Sequence, residues 1–227
     1  MTNYYQFIKE LRLKKDLSQA EVAEKMGISR SSYVAFEQGK RDLSLAEASK
    51  LADFFGVSLE EMESGLLPNL EKYKEMILAC LRFGSASDGK IPKTKLAKLL
   101  YLSDFAWFYE ELSSMSGMQY RRLPYGPVPD MYFRALDELE NAGKIVIDRK
   151  KDGVLLVKES EGNKKQILSA LNVKEKALIK AINKNWRNKK TEEIVNFTHN
   201  QMPYFLCRDN EIIPYELITQ ENRDNVY

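Results

Sequence analysis

Two cysteines and a single histidine among 227 residues leave little material for a metal centre or a disulfide framework. Cys80 and Cys207 stand far apart, which fits neither a zinc knuckle nor a cross-linked secreted fold. Cys80 lies inside the apolar run from Met76 to Leu81 and is expected in the core as a small hydrophobe. His199, between Thr198 and Asn200, has no His, Cys or carboxylate at ligand spacing, so no metal site is expected. Cys207 follows it closely, yet nearness in sequence does not make a Cys–His nucleophile. No P-loop, no dinucleotide-binding glycine pattern and no Gly-x-Ser-x-Gly elbow occurs. Enzyme chemistry and a cofactor are therefore not expected. Long apolar runs are missing too: none approaches the roughly 18 residues that span a bilayer, and the N-terminus lacks a charged-then-apolar pattern, so a cytoplasmic protein with no membrane partner is expected. Nor does one charge dominate, with 35 Lys and Arg against 33 Asp and Glu, a net +2. Non-specific binding to polyanions is not the expected behaviour of such a balance. There is no long internal repeat and no low-complexity tract.

What is present is enough apolar residue, 44% of the chain, to build a good core, and a length that suggests one large or two smaller domains. Ser18 to Gly39, SQAEVAEKMGISRSSYVAFEQG, reads as two short helices joined by a tight turn. Ser18 caps the first with Glu21 as its capping-box partner, and Ala20, Val22, Ala23 and Met26 supply its apolar side. Gly27 closes it through a positive φ, Ile28 plugs the angle, and Ser29 caps the second helix. Tyr33 and Phe36 face inward, which leaves Arg30, Ser31, Val34 and Ala35 outward, where a recognition helix meets base edges. A preceding helix spans Tyr4 to Lys15 with Tyr5, Ile8 and Leu11 inward. Ser44 with Glu47 opens a fourth, whose buried face is Leu45, Ala48, Leu51, Ala52 and Phe55, and Ser58 with Glu61 opens a fifth. Gly65-Leu66-Leu67-Pro68-Asn69 breaks the pattern and marks the boundary between a domain of residues 1–67 and one of residues 70–227. The first domain is slightly acidic, so DNA affinity has to come from local placement of Lys14, Lys15, Arg30, Lys40 and Arg41.

Leu17-Ser18-Gln19, Gly27-Ile28-Ser29, Phe36-Glu37-Gln38-Gly39-Lys40-Arg41 and Phe54-Phe55-Gly56-Val57-Ser58 resemble the DNA-binding domain of the Cro and phage-repressor family. The resemblance implies a five-helix domain in which Gln19 and Ser29 touch the phosphate backbone, Arg30, Ser31 and Ala35 face bases, Ser32 and Val34 border the same surface, and Lys40 and Arg41 meet flanking phosphates. It also implies a homodimer on a two-fold operator of double-stranded DNA.

In the second half, Leu70 to Phe83 reads as an amphipathic helix ended by the turn-rich segment from Gly84 to Gly89. Lys93 to Glu111 is apolar around so much of its circumference that it is central to its domain or lies against a partner. Asp104, a carboxylate among aromatics there, needs a tyrosine hydroxyl, a backbone amide or an arginine. Met118 to Pro129, with three prolines and two tyrosines, reads as a stiff extended loop, either a recognition surface or a connector seating Tyr120 and Tyr125 on the core. A helix is expected from Val128 to Ala142. Lys144 to Asp148 and Val154 to Lys158, separated by RKKDG, read as a β-hairpin. Three helices and a hairpin are the parts of a winged helix, so Arg149, Lys150 and Lys151 form either a second nucleic-acid contact or a solvated turn. Asn172 with Glu175 opens another helix that ends in the basic run Lys184 to Lys190; Thr191 to Gln201 is the final helix, and an irregular tail follows Met202. The fold class is mainly α, with one small hairpin.

Lys95-Leu96-Ala97-Lys98-Leu99-Leu100-Tyr101-Leu102-Ser103-Asp104-Phe105 and Tyr125-Gly126-Pro127-Val128-Pro129 resemble the Panacea domain of SocA-type antitoxins, over about residues 70–205. That resemblance implies a type II antitoxin that neutralises a cognate protein toxin by contact. Tyr101, Asp104, Trp107, Tyr125 and Pro127 are the expected toxin contacts, since interfaces favour aromatic anchors. The alternative is a transcription regulator whose second domain dimerises or senses a small ligand.

Overall fold

Serines set the architecture of the first 67 residues. In the computed structural model, which describes residues 4–84, 88–129, 131–151 and 153–227, α1 is Tyr4–Lys14, α2 Gln19–Met26, α3 Arg30–Glu37, α4 Leu45–Phe55 and α5 Leu59–Ser64. Ser18, Ser29, Ser44 and Ser58 each accept the amide three residues on, and Glu21, Glu47 and Glu61 return the bond to complete capping boxes. Gly27 ends α2 at φ 72 and Gly56 ends α4 at φ 71, a backbone that glycine adopts without steric cost. These short helices bury Phe7, Ile8, Leu11, Val22, Met26, Tyr33, Phe36, Leu51, Phe55 and Met62 around one centre. Leu45 departs from expectation: it is the first residue after its cap and is 75% exposed, so the buried face of α4 begins a turn later.

The chain divides into two compact units, 1–67 and 68–227. The second is organised around α7, Lys93–Glu111, in which every residue from Lys95 to Phe108 is buried. The remaining helices are α6 (Leu70–Gly84), α8 (Tyr132–Asn141), α9 (Val173–Trp186), α10 (Thr191–Asn200) and α11 (Met202–Leu206). Strands β1 (Lys90–Pro92), β4 (Ile145–Arg149) and β5 (Leu155–Glu159) form an antiparallel sheet in the order β1-β5-β4. The hairpin of β4 and β5 is within a residue of expectation, with Ile147 opposite Val157; β1, three residues long, carries no alternating pattern from which to read it. Helix α6, β1, α7, α8, β4 and β5 follow one another in the chain, with one hairpin inserted before α8.

That inserted hairpin corrects the expected loop. Strands β2 (Tyr120–Leu123) and β3 (Gly126–Pro129) pair with Leu123 opposite Gly126, and α8 starts at Tyr132 rather than Val128. The prolines are tolerated because β3 pairs on one side only. The tail is also more ordered than expected. After α11 it returns to β2, where the Ile213 amide donates to Tyr120 O at 2.7 Å, and the buried Tyr215 ring stacks on Phe105 at 4.4 Å. Of the expected turns, Ser85 to Ser87 and Asp152 lie outside the described residues, as does Asp130 in the expected helix.

Candidate nucleic-acid interface and partner surface

The outer surface of α3 is held up by a buried ion pair. Arg12 donates to Glu37 through Nε at 2.6 Å and Nη2 at 3.0 Å, and to Leu17 O at 2.8 Å. Gln19 adds a third donor to Glu37 at 2.8 Å. Burial pushes the Glu37 carboxyl up, but the bonds from Arg12 and Gln19 outweigh it and hold the group below the ordinary carboxylate range. Gln19, expected on a phosphate, thus has one amide hydrogen committed to the core. Ser29 Oγ accepts the Ser32 amide at 3.1 Å and lies 2.9 Å from the Ser31 hydroxyl and 2.8 Å from that of Ser32. Arg30 and Ser31 are exposed, and Ser32, Val34 and Ala35 are half-buried beside them. Arg30 meets no carboxylate among the described residues. Lys40 is exposed, whereas half-buried Arg41 donates to Glu47 at 2.6 Å and brings that carboxyl down to about 2.

In the second unit the five expected partner contacts separate. Tyr101 and Asp104 are at 0% exposure and Pro127 is buried, so these three are corrected to core residues. Asp104 Oδ1 accepts from Ser114 Oγ at 3.1 Å and from the Met115 and Ser116 amides at 2.9 Å each, while Oδ2 accepts from the Ser116 hydroxyl and from Tyr120 OH at 3.1 Å. Its partners are the tyrosine hydroxyl and backbone amides named from sequence, with no arginine; burial still raises its pKa. Trp107, at 9% exposure, is buried on α7 and is likewise corrected to a core residue. Tyr125, at the hairpin tip, is 78% exposed. Helix α11 docks on the same hairpin, since Tyr204 OH donates to Leu123 O at 2.7 Å and Arg122 Nε donates to Tyr204 O at 3.2 Å. The next residues, Phe205 and Leu206, are 71% and 52% exposed. They had no signal in sequence, because a short apolar run in an irregular tail does not say which side is covered.

A family model described as Helix-turn-helix matches residues 8–62, and one described as Antitoxin SocA-like, Panacea domain matches residues 96–204. An uncharacterized HTH-type transcriptional regulator of Methanocaldococcus jannaschii is 44% identical over 55 residues, 24% of this chain and 83% of that protein. The chain belongs to the helix-turn-helix family and carries a SocA-like Panacea domain. The cryptic phage CTXphi transcriptional repressor RstR of Vibrio cholerae is 39% identical over 71 residues, 31% of this chain and 64% of its own length. Control protein C.MunI of a Mycoplasma species is 37% identical over 60 residues, 26% and 81% of the two chains. No solved structure matches.

The helix-turn-helix match runs from within α1 into α5 and includes the capped helices α2 and α3. Within the Panacea domain the two stretches that carried the sequence resemblance meet: Lys98, fully buried on α7, donates to Pro127 O of β3 at 2.9 Å. Gly126 has φ 92, and a Cβ there would lie 2.7 Å from Lys98 Cε and 3.1 Å from His199 Nε2. His199 stacks flat on Tyr204 at 4.3 Å, which gives the lone histidine a packing role. Cys80 is in the core, where burial pushes its thiol up to about 12. Among the described residues no cluster of His, Cys, Asp and Glu can hold a metal ion, and no helix is long and apolar enough to cross a membrane.

Proposed function

We propose that this chain is the antitoxin of a type II toxin–antitoxin pair, in which the Panacea domain neutralises a cognate protein toxin by contact and the helix-turn-helix unit represses the shared operon. The observation that supports it is the joining of these two matched domains in one chain. Arg30, Ser31 and Ala35 face bases. Gln19 and Ser29 touch the phosphate backbone and Ser32 borders the same surface; Lys40 and Arg41 take flanking phosphates. As a homodimer the protein spans half-sites about 34 Å apart on double-stranded DNA. On the Panacea domain, Tyr125 with Phe205 and Leu206 supplies the apolar anchors for the toxin, and neutralisation is by occlusion.

Expression of the protein encoded beside this gene, alone and together with this chain in growing cells, tests the reading. Growth arrest that co-expression relieves is the expected result. A harmless neighbour would favour a regulator whose second domain only dimerises or senses a ligand.

A further inference from the structure

The near-zero net charge of the chain hides one strongly basic segment. From Val173 to Lys190 there are seven Lys and Arg against a single carboxylate, Glu175. That carboxylate is withdrawn from the surface: it is 2% exposed, takes the Lys72 ammonium at 2.5 Å and caps its own helix through the Asn172 amide. Lys176, Lys180, Lys184 and Arg187 follow at steps of four, four and three residues, so they stack along one face of α9 and its C-terminal cap for about 16 Å. The opposite side, Leu178, Ile179, Ile182 and Trp186, is buried. Lys189 and Lys190 continue the row beyond the helix. The loop bearing them is pinned from below, where the buried Lys95 ammonium donates to Arg187 O at 3.3 Å and Lys189 O at 2.5 Å. Lys174 pairs with Glu111 at 3.4 Å and the Lys190 amide donates to Glu193 at 2.6 Å, but among the described residues the ammonium groups of Lys176, Lys180 and Lys184 pair with no carboxylate.

A row of like charges four residues apart repels itself, and each member left unpaired adds to that cost. We propose that this face of α9 is a contact surface for the phosphates of duplex DNA. The residue types favour DNA over an acidic protein: lysine is depleted at protein–protein interfaces, where arginine and aromatics are enriched, whereas lysine point charges are common on phosphates. No large aromatic accompanies the exposed row, so the contact carries position and affinity but no sequence preference. It rests on the reading that the helix-turn-helix unit binds DNA, and it adds a second, sequence-independent contact from the Panacea domain.

The test uses the full chain and its Lys176→Gln/Lys180→Gln/Lys184→Gln variant, with a duplex from the region upstream of its own gene and an unrelated duplex of the same length, across a series of salt concentrations. Each lost phosphate contact removes about 0.9 from the slope of log affinity against log salt, so the expected loss is about 2 to 3, with affinity for both duplexes falling by the same factor and relief of the toxin unchanged. Lys144→Gln/Lys164→Gln/Lys165→Gln removes equal charge elsewhere on the same unit. An unchanged slope would overturn the proposal, as would an equal loss in this comparison variant. Loss of neutralisation with DNA binding intact would assign the face to an acidic protein instead. A wild-type chain that binds neither duplex would remove this contact and the operator reading together, whereas wild-type binding that the variant preserves would remove this contact alone.

Discussion

The ammonium of Lys98 and the carbonyl of Pro127 meet in the interior of the Panacea domain at 2.9 Å, with Lys98 at 0% exposure. Burial brings the Lys98 pKa down to about 7, against an ordinary value of about 10.4. Between those values the unfolded chain holds the proton more tightly than the folded one, so stability is lowest below pH 7 and rises as pH climbs through the folded pKa. His199 beside it is shifted down by burial and by the Lys98 and Arg122 charges, which acts in the same direction at lower pH. Buried Tyr101, Tyr120 and Tyr215, whose pKa values are raised, end the gain near pH 10, where unfolded tyrosines ionise first. The melting temperature is expected to rise from pH 7 to 9, and Lys98→Met to flatten that rise. Parallel curves for the two proteins would show that the ammonium is not held in this environment.

Gly126→Ala puts a methyl group 2.7 Å from Lys98 Cε at a φ of 92. The lysine cannot swing away, being buried and bonded at its tip. Gly153 has a similar φ of 83 but nothing near its missing Cβ, so it measures backbone strain alone, about 1–3 kcal/mol. Urea unfolding is expected to show a greater loss for Gly126→Ala than for Gly153→Ala, and equal losses would contradict the close approach.

Asp104→Ala removes the acceptor from two hydroxyls of serine, one of tyrosine and two amides, all in the core except the half-buried Ser114. Stranded buried donors cost about 1–3 kcal/mol apiece, so the total is expected to exceed about 3 kcal/mol. Tyr125→Ala, at an exposed site, is expected to stay within about 0.5 kcal/mol of wild type. Similar unfolding midpoints for the two variants would refute the assignment of Asp104 to the core.

Arg30 is exposed beside the α3 N-terminus. Arg30→Ala is expected to lower discrimination between the upstream duplex and single-base variants by about 1–3 kcal/mol, while Lys40→Ala weakens binding to all of them alike. Competition titrations read both; an unchanged preference in Arg30→Ala would remove it from the base-reading set.

The first unit was legible in sequence because its signals are local. Ser18 and Glu21, or Ser44 and Glu47, are three residues apart, and Gly27 must take a positive φ at the turn between them. The Panacea domain depends on distant pairings that leave no periodic trace. Pro127 and Pro129 read as loop until Arg122 and Tyr120 are seen opposite them, and β1 is too short for any pattern. The crowding of aromatics on α7 correctly marked a central helix, but Tyr101 and Trp107 look alike in sequence whether they face a core or a partner. Only the packing of the tail, with Tyr215 on Phe105, separates buried rings from the exposed Tyr125.

Calorimetric titration of the purified chain with the protein encoded beside its gene tests the central claim, that the Panacea domain acts by touching a toxin. A saturable complex that suppresses the neighbour's toxicity is expected, weakened more than tenfold in Tyr125→Ala/Phe205→Ala at unchanged melting temperature, about 1.4 kcal/mol or more. Absence of any complex between the two folded wild-type proteins would contradict the account.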